Sequence, residues 1–395
     1  MTDLNFPIYL LAWPFALTLA WMAGELIYRW IALPRIAVYA LCGFVFGNLA
    51  AGDLPPSESD SFLLFANLAF GLMLFELGYR INLRWLRANP WIVVTSVVES
   101  VVTFVAVDTV ATAFGTEPLS AALIAALAMA TSPAGLLRVL NEQRSAGQVT
   151  ERALHLSALN CAFGVFAFKV IVGIGVFQTS GDLAHAAASS LLVLVASSLL
   201  GALFGVAVPL WLRHVDNAGR DATLAFAIAV FLLVVVSHVF KLSPVLCALA
   251  FGIVARHRRI VLPPAQRNFG ALGDLLSVLL FFVVASKLDW DHVTSGLLLG
   301  LLLVLVRALA KVLVCTVFAR VSGISARKGA LTGLALTPVA VFAVLLLEQA
   351  PRLGPDVFQS LAPLAAIALL LEVIGPLVTL CAVVFANETR TAREP

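Results

Sequence analysis

The sequence predicts an all-α polytopic membrane protein of about thirteen transmembrane helices, with the N-terminus outside and the C-terminus inside. Three observations predict it. First, 61% of the 395 residues are hydrophobic and only 12% are charged, about half the charge of an ordinary soluble protein. Second, apolar runs long enough to cross a hydrocarbon layer recur from one end to the other, separated by short segments of Pro, Gly and charge. Third, the basic residues alternate. With the N-terminus outside, nineteen of the 25 Lys and Arg fall in inner segments, three (Lys241, Lys287 and Arg352) in outer ones and three within spans. That is the positive-inside pattern, and one span more or fewer scrambles it. This composition excludes a soluble enzyme, a disordered chain and a nucleic-acid binder. The net charge of +3 is too small to indicate a partner other than the lipid bilayer.

Each span is bounded by punctuation in the chain. Span 1 (7–28) follows Asp3 with no basic segment before it, so it reads as a permanent span and not a cleaved signal. Span 2 (34–51) lies between Arg29 and Arg35 and the acidic loop of Asp53, Glu58 and Asp60. Span 3 (61–79) stops at Arg80, Arg84 and Arg87, and span 4 (90–115) starts at Pro90. Span 5 (118–138) starts at Pro118, is interrupted by Thr131-Ser132-Pro133 and ends at Arg138. Span 6 (153–178) follows Arg152, and span 7 (186–212) ends at Arg213. Spans 8 (221–240) and 9 (243–256) are divided by Lys241 and Pro244 and closed by Arg256, Arg258 and Arg259. Span 10 (270–286) follows Arg267 and ends at Lys287. Span 11 (294–319) lies between Asp291 and Arg320. Span 12 (329–349) follows Lys328 and is interrupted by Thr337-Pro338, and span 13 (358–387) leads into a short polar tail. No soluble head or nucleotide-binding regulatory domain is expected. The five cysteines are scattered through apolar runs without a CxxC pair, so neither a disulfide framework nor a zinc site is expected. No cofactor is expected, and no metal beyond a transported cation.

Charges inside spans are costly and are functional candidates by default. They are Glu99 and Asp108 in span 4, Lys169 in span 6, Arg307 and Lys311 in span 11, and Glu372 in span 13. Counting residues at about 1.5 Å each gives their depth. Glu99 is nine residues past Pro90, and Asn160 and Cys161 are eight and nine past Arg152, so all three share a level near mid-membrane. Asp108 and Lys169 share a second level nearer the outside and are expected to pair. Arg307 and Lys311, four apart, share one helix face. Arg307 and Glu372 both fall near the midplane. Glu25, Glu76 and Asp274 sit near inner ends, where arginines make them cheap.

A proline frees a carbonyl one turn back, and such breaks are tolerated in a membrane only where protein or a cavity satisfies the backbone. The order Glu99, Thr131-Ser132-Pro133, Asn160 in spans 4–6 is repeated as Arg307, Thr337-Pro338, Glu372 in spans 11–13. One triplet starts inside and the other outside. An inverted repeat with paired broken helices points to a midplane ion or substrate site.

These residues carry a resemblance to the monovalent cation:proton antiporter superfamily, the sodium/proton and potassium/proton exchangers. Gly24–Gly47 resembles the family's first hairpin, and Phe70–Arg87 its LFxxGxxxxxxxLR stretch. Ala130–Leu140 (ATSPAGLLRVL) is the most specific match, resembling the broken helix. Leu242–Ala255 (LSPVLCALAFGIVA), Leu280–Leu288, Arg307–Lys311 and Leu334–Phe342 (LALTPVAVF) follow in family order. The resemblance implies a homodimer whose two broken helices, spans 5 and 12, cross at the ion site. It implies core helices at 90–180 and 291–395, scaffold or dimerisation helices at 1–89 and 216–290, and a linker helix at 181–215. It also implies elevator-type alternating access, and the expected location is the bacterial inner (plasma) membrane.

Family members carry an Asn-Asp or Asp-Asp pair in span 6, and this chain has Asn160-Cys161 there. A thiol is a poor ligand for hard monovalent cations, which take oxygen. Glu99 is the carboxylate at that level. Three readings follow. The first is cation/proton exchange with Glu99 as carrier, helped by Asn160, Thr131, Ser132 and Thr337 oxygens, with Arg307 or Lys311 pairing Glu99 or Glu372 in the empty state. The second is a transport-inactive relative serving as sensor, scaffold or subunit. The third is a transporter of another solute, such as an anion drawn to Arg307, Lys311 and Lys169. Covalent catalysis is not expected, since no nucleophile triad or phosphate loop is present.

Overall fold

The computed structural model describes residues 9–49, 56–180, 183–213, 218–258, 270–286, 288, 290–338 and 362–389. Among them there are fifteen helices and no strand. They are α1 (Tyr9–Ile31), α2 (Arg35–Leu49), α3 (Pro56–Arg80), α4 (Leu83–Ala88), α5 (Pro90–Ala113), α6 (Pro118–Met129), α7 (Pro133–Glu142), α8 (Gln148–Ser180) and α9 (Leu183–Leu212). The remainder are α10 (Ala218–Val239), α11 (Pro244–His257), α12 (Gly270–Ser286), α13 (Trp290–Val317), α14 (Ala326–Ala335) and α15 (Ala362–Phe385). Among the described residues, eight helical segments are long and apolar enough to cross a membrane, and three more apolar helices are shorter. This is an integral, multi-pass membrane protein. The second half of expected span 12 lies outside the described residues.

Local chemistry sets the starts. Proline opens α5, α6, α7 and α11, where the missing N–H removes a donor that has no partner anyway. Asn82 caps α4, accepting from the amides of Arg84 and Trp85; the hydropathy profile left this short amphipathic piece as loop. Ser132 caps α7 through Gly135 N, and Ser325 caps α14 through Lys328 N.

The helices pack in two groups. One is α1, α2, α3, α9, α10, α11 and α12, and the other is α5, α6, α7, α8, α13, α14 and α15. Each group draws on two separate stretches of chain. The groups meet chiefly where α8 lies on α9, α15 on α2 and α7 on α3. The first group is held by close backbone approaches. A Cβ on Gly43 of α2 would run into the carbonyl of Phe282 in α12, and Gly78 of α3 and Gly252 of α11 abut each other's backbones in the same way. Lipid gives no hydrophobic drive between helices, so small residues and tight contact do that work. A Gly43→Val exchange is therefore expected to lower stability by about 1–3 kcal/mol or more, read as a fall in thermal unfolding temperature in detergent. An unchanged temperature would mean that α2 and α12 part freely.

α13 illustrates how the second group is oriented. Leu298, Leu301, Leu305, Leu309 and Leu313 form an exposed apolar stripe, whereas Arg307 and Lys311 on the opposite side are 1% and 0% exposed. The leucines face the lipid and the two cations face the interior. They are anchored there by Glu99 of α5 and by carbonyls at the ends of α6 and α14.

Candidate functional site

The interior face of α5 is polar. Ser96, Glu99, Ser100 and Thr103 are all buried at helical spacing, while Val94, Val97, Val101 and Val105 are exposed on the other side. The Glu99 carboxylate is fully enclosed and accepts three bonds. Asn160 Nδ2 of α8 donates to Oε2 at 2.5 Å, and Thr103 Oγ1 donates to Oε1 at 3.1 Å. The third donor is the ammonium of Lys311 from α13, in a direct ion pair with Oε1. Asn160 Oδ1 in turn accepts from Ser96 Oγ at 2.7 Å and Ser100 Oγ at 3.4 Å, which fixes the amide with its nitrogen toward Glu99. Cys161, beside Asn160, is fully buried in the main apolar cluster.

Below α6 the chain leaves the helix. Ala130 and Ser132 are extended, with ψ of 142° and 108°. α14 ends at Ala335, with Leu336 near ψ 9° as its C-cap, and the two breaks touch. Ser132 N donates to Pro338 O at 2.8 Å and Thr131 Oγ1 to Leu336 O at 3.3 Å. The carbonyls freed at both helix ends converge on Arg307. Nε donates to Ala128 O at 2.7 Å and Nη1 to Thr337 O at 2.5 Å. Nη2 lies 2.9 Å from Ala130 O, 3.2 Å from Leu336 O and 3.4 Å from Pro338 O. Lys311 Nζ also donates to Met129 O at 3.0 Å. Every guanidinium nitrogen thus serves a carbonyl at or just beyond a helix end.

Arg307 and Lys311 bring two positive charges, faced by the Glu99 carboxylate and by the partial negative charge at the C-terminal ends of α6 and α14.

The other sequence candidates fall elsewhere. Ser132 Oγ is engaged as the cap of α7, and Thr337 Oγ1 donates to Leu334 O, so neither hydroxyl reaches Glu99. Asp108 and Lys169, half-buried, lie nine residues beyond Glu99 and Asn160 on α5 and α8, about 13 Å further along. Glu372 on α15 is buried, and neither of its oxygens has a hydrogen-bond partner among the described residues. Ser96, Ser100 and Thr103 were not singled out from the sequence, although their spacing around Glu99 was a readable signal. The carbonyls of Ala128, Met129, Ala130 and Leu336 carry no side-chain signal.

A small cavity adjoins this centre and a larger one lies at the seam of the two helix groups. One of about 20 Å³, room for about one water, is lined by Thr95, Leu156 and Cys315, each one turn from Glu99, Asn160 and Lys311 in the same direction. The other, about 980 Å³, lies where α1, α2, α7 and α12 meet and is lined in part by Glu25, Tyr28, Asn141 and Glu142. Ion pairs cross it between the two helix groups. Arg35 of α2 reaches Glu142 of α7 at 2.6 Å, and Arg138 of α7 reaches Asp274 of α12 at 3.0 Å. Asn141 of α7 donates to Glu76 of α3 at 3.0 Å.

Residues 15–384 match the family model described as sodium/hydrogen exchanger, transmembrane. No curated protein matches the sequence. Two solved structures of the sodium proton antiporter MjNhaP1 from Methanocaldococcus jannaschii share the fold. The one at pH 8 is 17% identical, covering 95% of each chain with a TM-score of 0.63. The other, an electron-microscopy map, is 17% identical over 94% of each chain with a TM-score of 0.70.

Proposed function

Because the chain belongs to the sodium/hydrogen exchanger family, we propose that it exchanges a monovalent cation, Na+ or K+, for protons, with Glu99 as the carrier carboxylate. The observation that carries this reading is the set of oxygens around one enclosed carboxylate. Asn160, Ser96, Ser100 and Thr103 gather side-chain oxygens within about one turn of Glu99. Lys311 holds the carboxylate in the empty site. A cation or a proton takes its place on Oε1 when the ammonium withdraws, and one carboxylate cannot carry both at once. That exclusion is what couples the two fluxes.

The scaffold we infer has thirteen spans, the N-terminus outside and the broken helices of spans 5 and 12 crossed at the centre. α5–α8 with α13–α15 form the moving core, α9 is the linker, and α1–α4 with α10–α12 form a dimerisation scaffold, in an elevator-type cycle. Supporting this division are the two packing groups and the cavity between them, bridged by the pairs Arg35–Glu142 and Arg138–Asp274. The setting is a homodimer in a bacterial inner membrane.

The reading is tested in proteoliposomes, where an imposed Na+ or K+ gradient is expected to drive a pH change inside. No flux from a stably folded protein would leave a transport-inactive relative. Uptake of an anion without cation dependence would favour the third reading. The bonds from Arg307 to carbonyls and from Lys311 to Glu99 argue against that outcome. Cys161→Asp places a carboxylate next to Asn160, where family members have one. It is expected to raise cation-driven exchange several-fold. An unchanged rate would mean that position 161 does not face the ion.

A further inference from the structure

α8 and α15 each cross an interrupted helix at a glycine. A Cβ on Gly164 of α8 would stand 2.9 Å from Ala130 Cβ at the end of α6. A Cβ on Gly375 of α15 would stand 2.8 Å from Pro338 Cα at the end of α14. The residue three positions before each glycine shares its helix face. That residue is Cys161 in α8 and Glu372 in α15. Glu372 thus lies one turn before the contact of α15 with the second break, on the helix face turned toward it.

The surroundings of Glu372 differ from those of Glu99. The residue is 4% exposed, and both carboxyl oxygens lie away from solvent without a hydrogen bond among the described residues. α15 packs on α13, α14, α2 and α7. The ionisable groups on those helices are engaged elsewhere. On α13, Lys311 is bound to Glu99 and Arg307 to the freed carbonyls, and Asp291 lies in the first turn. On α14, Arg327 bonds Phe385 O and Lys328 bonds Gln148. On α2 and α7, Arg35 pairs with Glu142 and Arg138 with Asp274. A carboxylate with neither donor nor cation beside it is expensive to bury, and a neutral acid is much less so. A bare Na+ or K+ needs several oxygens, and no described hydroxyl or amide bonds this carboxyl.

We propose that Glu372 is a second proton-binding site, carried by the helix that crosses the second break and separate from the Glu99–Lys311–Asn160 cluster. The chain then holds one carboxyl site on each side of the paired breaks, one offering oxygens to a cation and one suited to a proton alone. The inference stands on the geometry of α15 and does not depend on Glu99 being the carrier.

Infrared difference spectra between acid and alkaline pH, recorded on the full chain in lipid nanodiscs, test it. The expected result is the carbonyl stretch of an unbonded carboxylic acid that disappears on alkalinisation. It is lost in Glu372→Gln and retained in Glu99→Gln. Identical spectra for the native chain and Glu372→Gln would overturn the proposal. Glu372→Asp keeps the acid and guards against a variant that fails to fold. A titrating band at a shifted frequency supports the site, and its absence from a folded Glu372→Asp protein overturns it. Failure of Glu99 as carrier would appear in flux measurements and leave this band in place.

Discussion

Glu99→Gln is expected to reduce cation-driven proton flux to the level of empty vesicles and to destabilise the protein by about 3–5 kcal/mol. Both effects have one source. The carboxylate is the anionic partner of Lys311 and accepts from Asn160 and Thr103. Gln retains the shape and removes the charge, so an ammonium is left enclosed with only Met129 O and an amide oxygen to face. Adding Lys311→Met separates the two effects. The double variant removes both charges, so most of the lost stability should return while transport stays absent. Thermal unfolding in detergent reads the first quantity, and a pH-sensitive dye inside proteoliposomes reads the second. Persisting cation-dependent flux in Glu99→Gln would move the carrier to another group. Equal stability of the single and double variants would mean that the stranded ammonium is not what destabilises the single one.

The second large effect is expected at Arg307, and it concerns folding before transport. Arg307→Ala takes donors from the carbonyls of Ala128, Ala130, Leu336, Thr337 and Pro338. A buried acceptor without a partner costs about 1–3 kcal/mol, so the sum is expected to exceed about 4 kcal/mol. The negative ends of α6 and α14 would also face each other with only Lys311 between them. The yield of monodisperse protein and its unfolding temperature should both fall steeply. Arg307→Lys keeps the charge but offers one point donor where the guanidinium has a planar fork, so it should recover only part of the loss. A stable, exchanging Arg307→Ala protein would show that the breaks hold each other through Ser132 N and Thr131 alone.

Much of the architecture is readable from one dimension. Apolar run 90–115 becomes α5 at Pro90–Ala113, and run 118–138 becomes α6 and α7 with the interruption at Thr131-Ser132-Pro133. Run 243–256 becomes α11 at Pro244–His257. Hydropathy and backbone chemistry act locally, so a run of apolar residues and a proline state their consequences without knowing their neighbours. Depth is local too. Counting residues at a fixed rise placed Glu99 and Asn160 at one level, and a 2.5 Å bond joins them.

Partner choice is a different quantity. Arg307 and Lys311 share a face and a helix, and the sequence offers either of them to Glu99 or Glu372. Only the packed bundle assigns Lys311 to Glu99, Arg307 to five carbonyls and no described partner to Glu372. The acceptors of Arg307 belong to the backbone of helix ends whose residues are Ala, Leu, Thr and Pro, and no side-chain chemistry marks them. The azimuth of each helix and the meeting of two breaks about two hundred residues apart depend on every contact at once. Sequence by itself determined the kind of protein, the level of its charges and the place of its breaks, because each of these follows from neighbours along the chain. Tertiary structure decided which charge neutralises which, because that follows from neighbours across it.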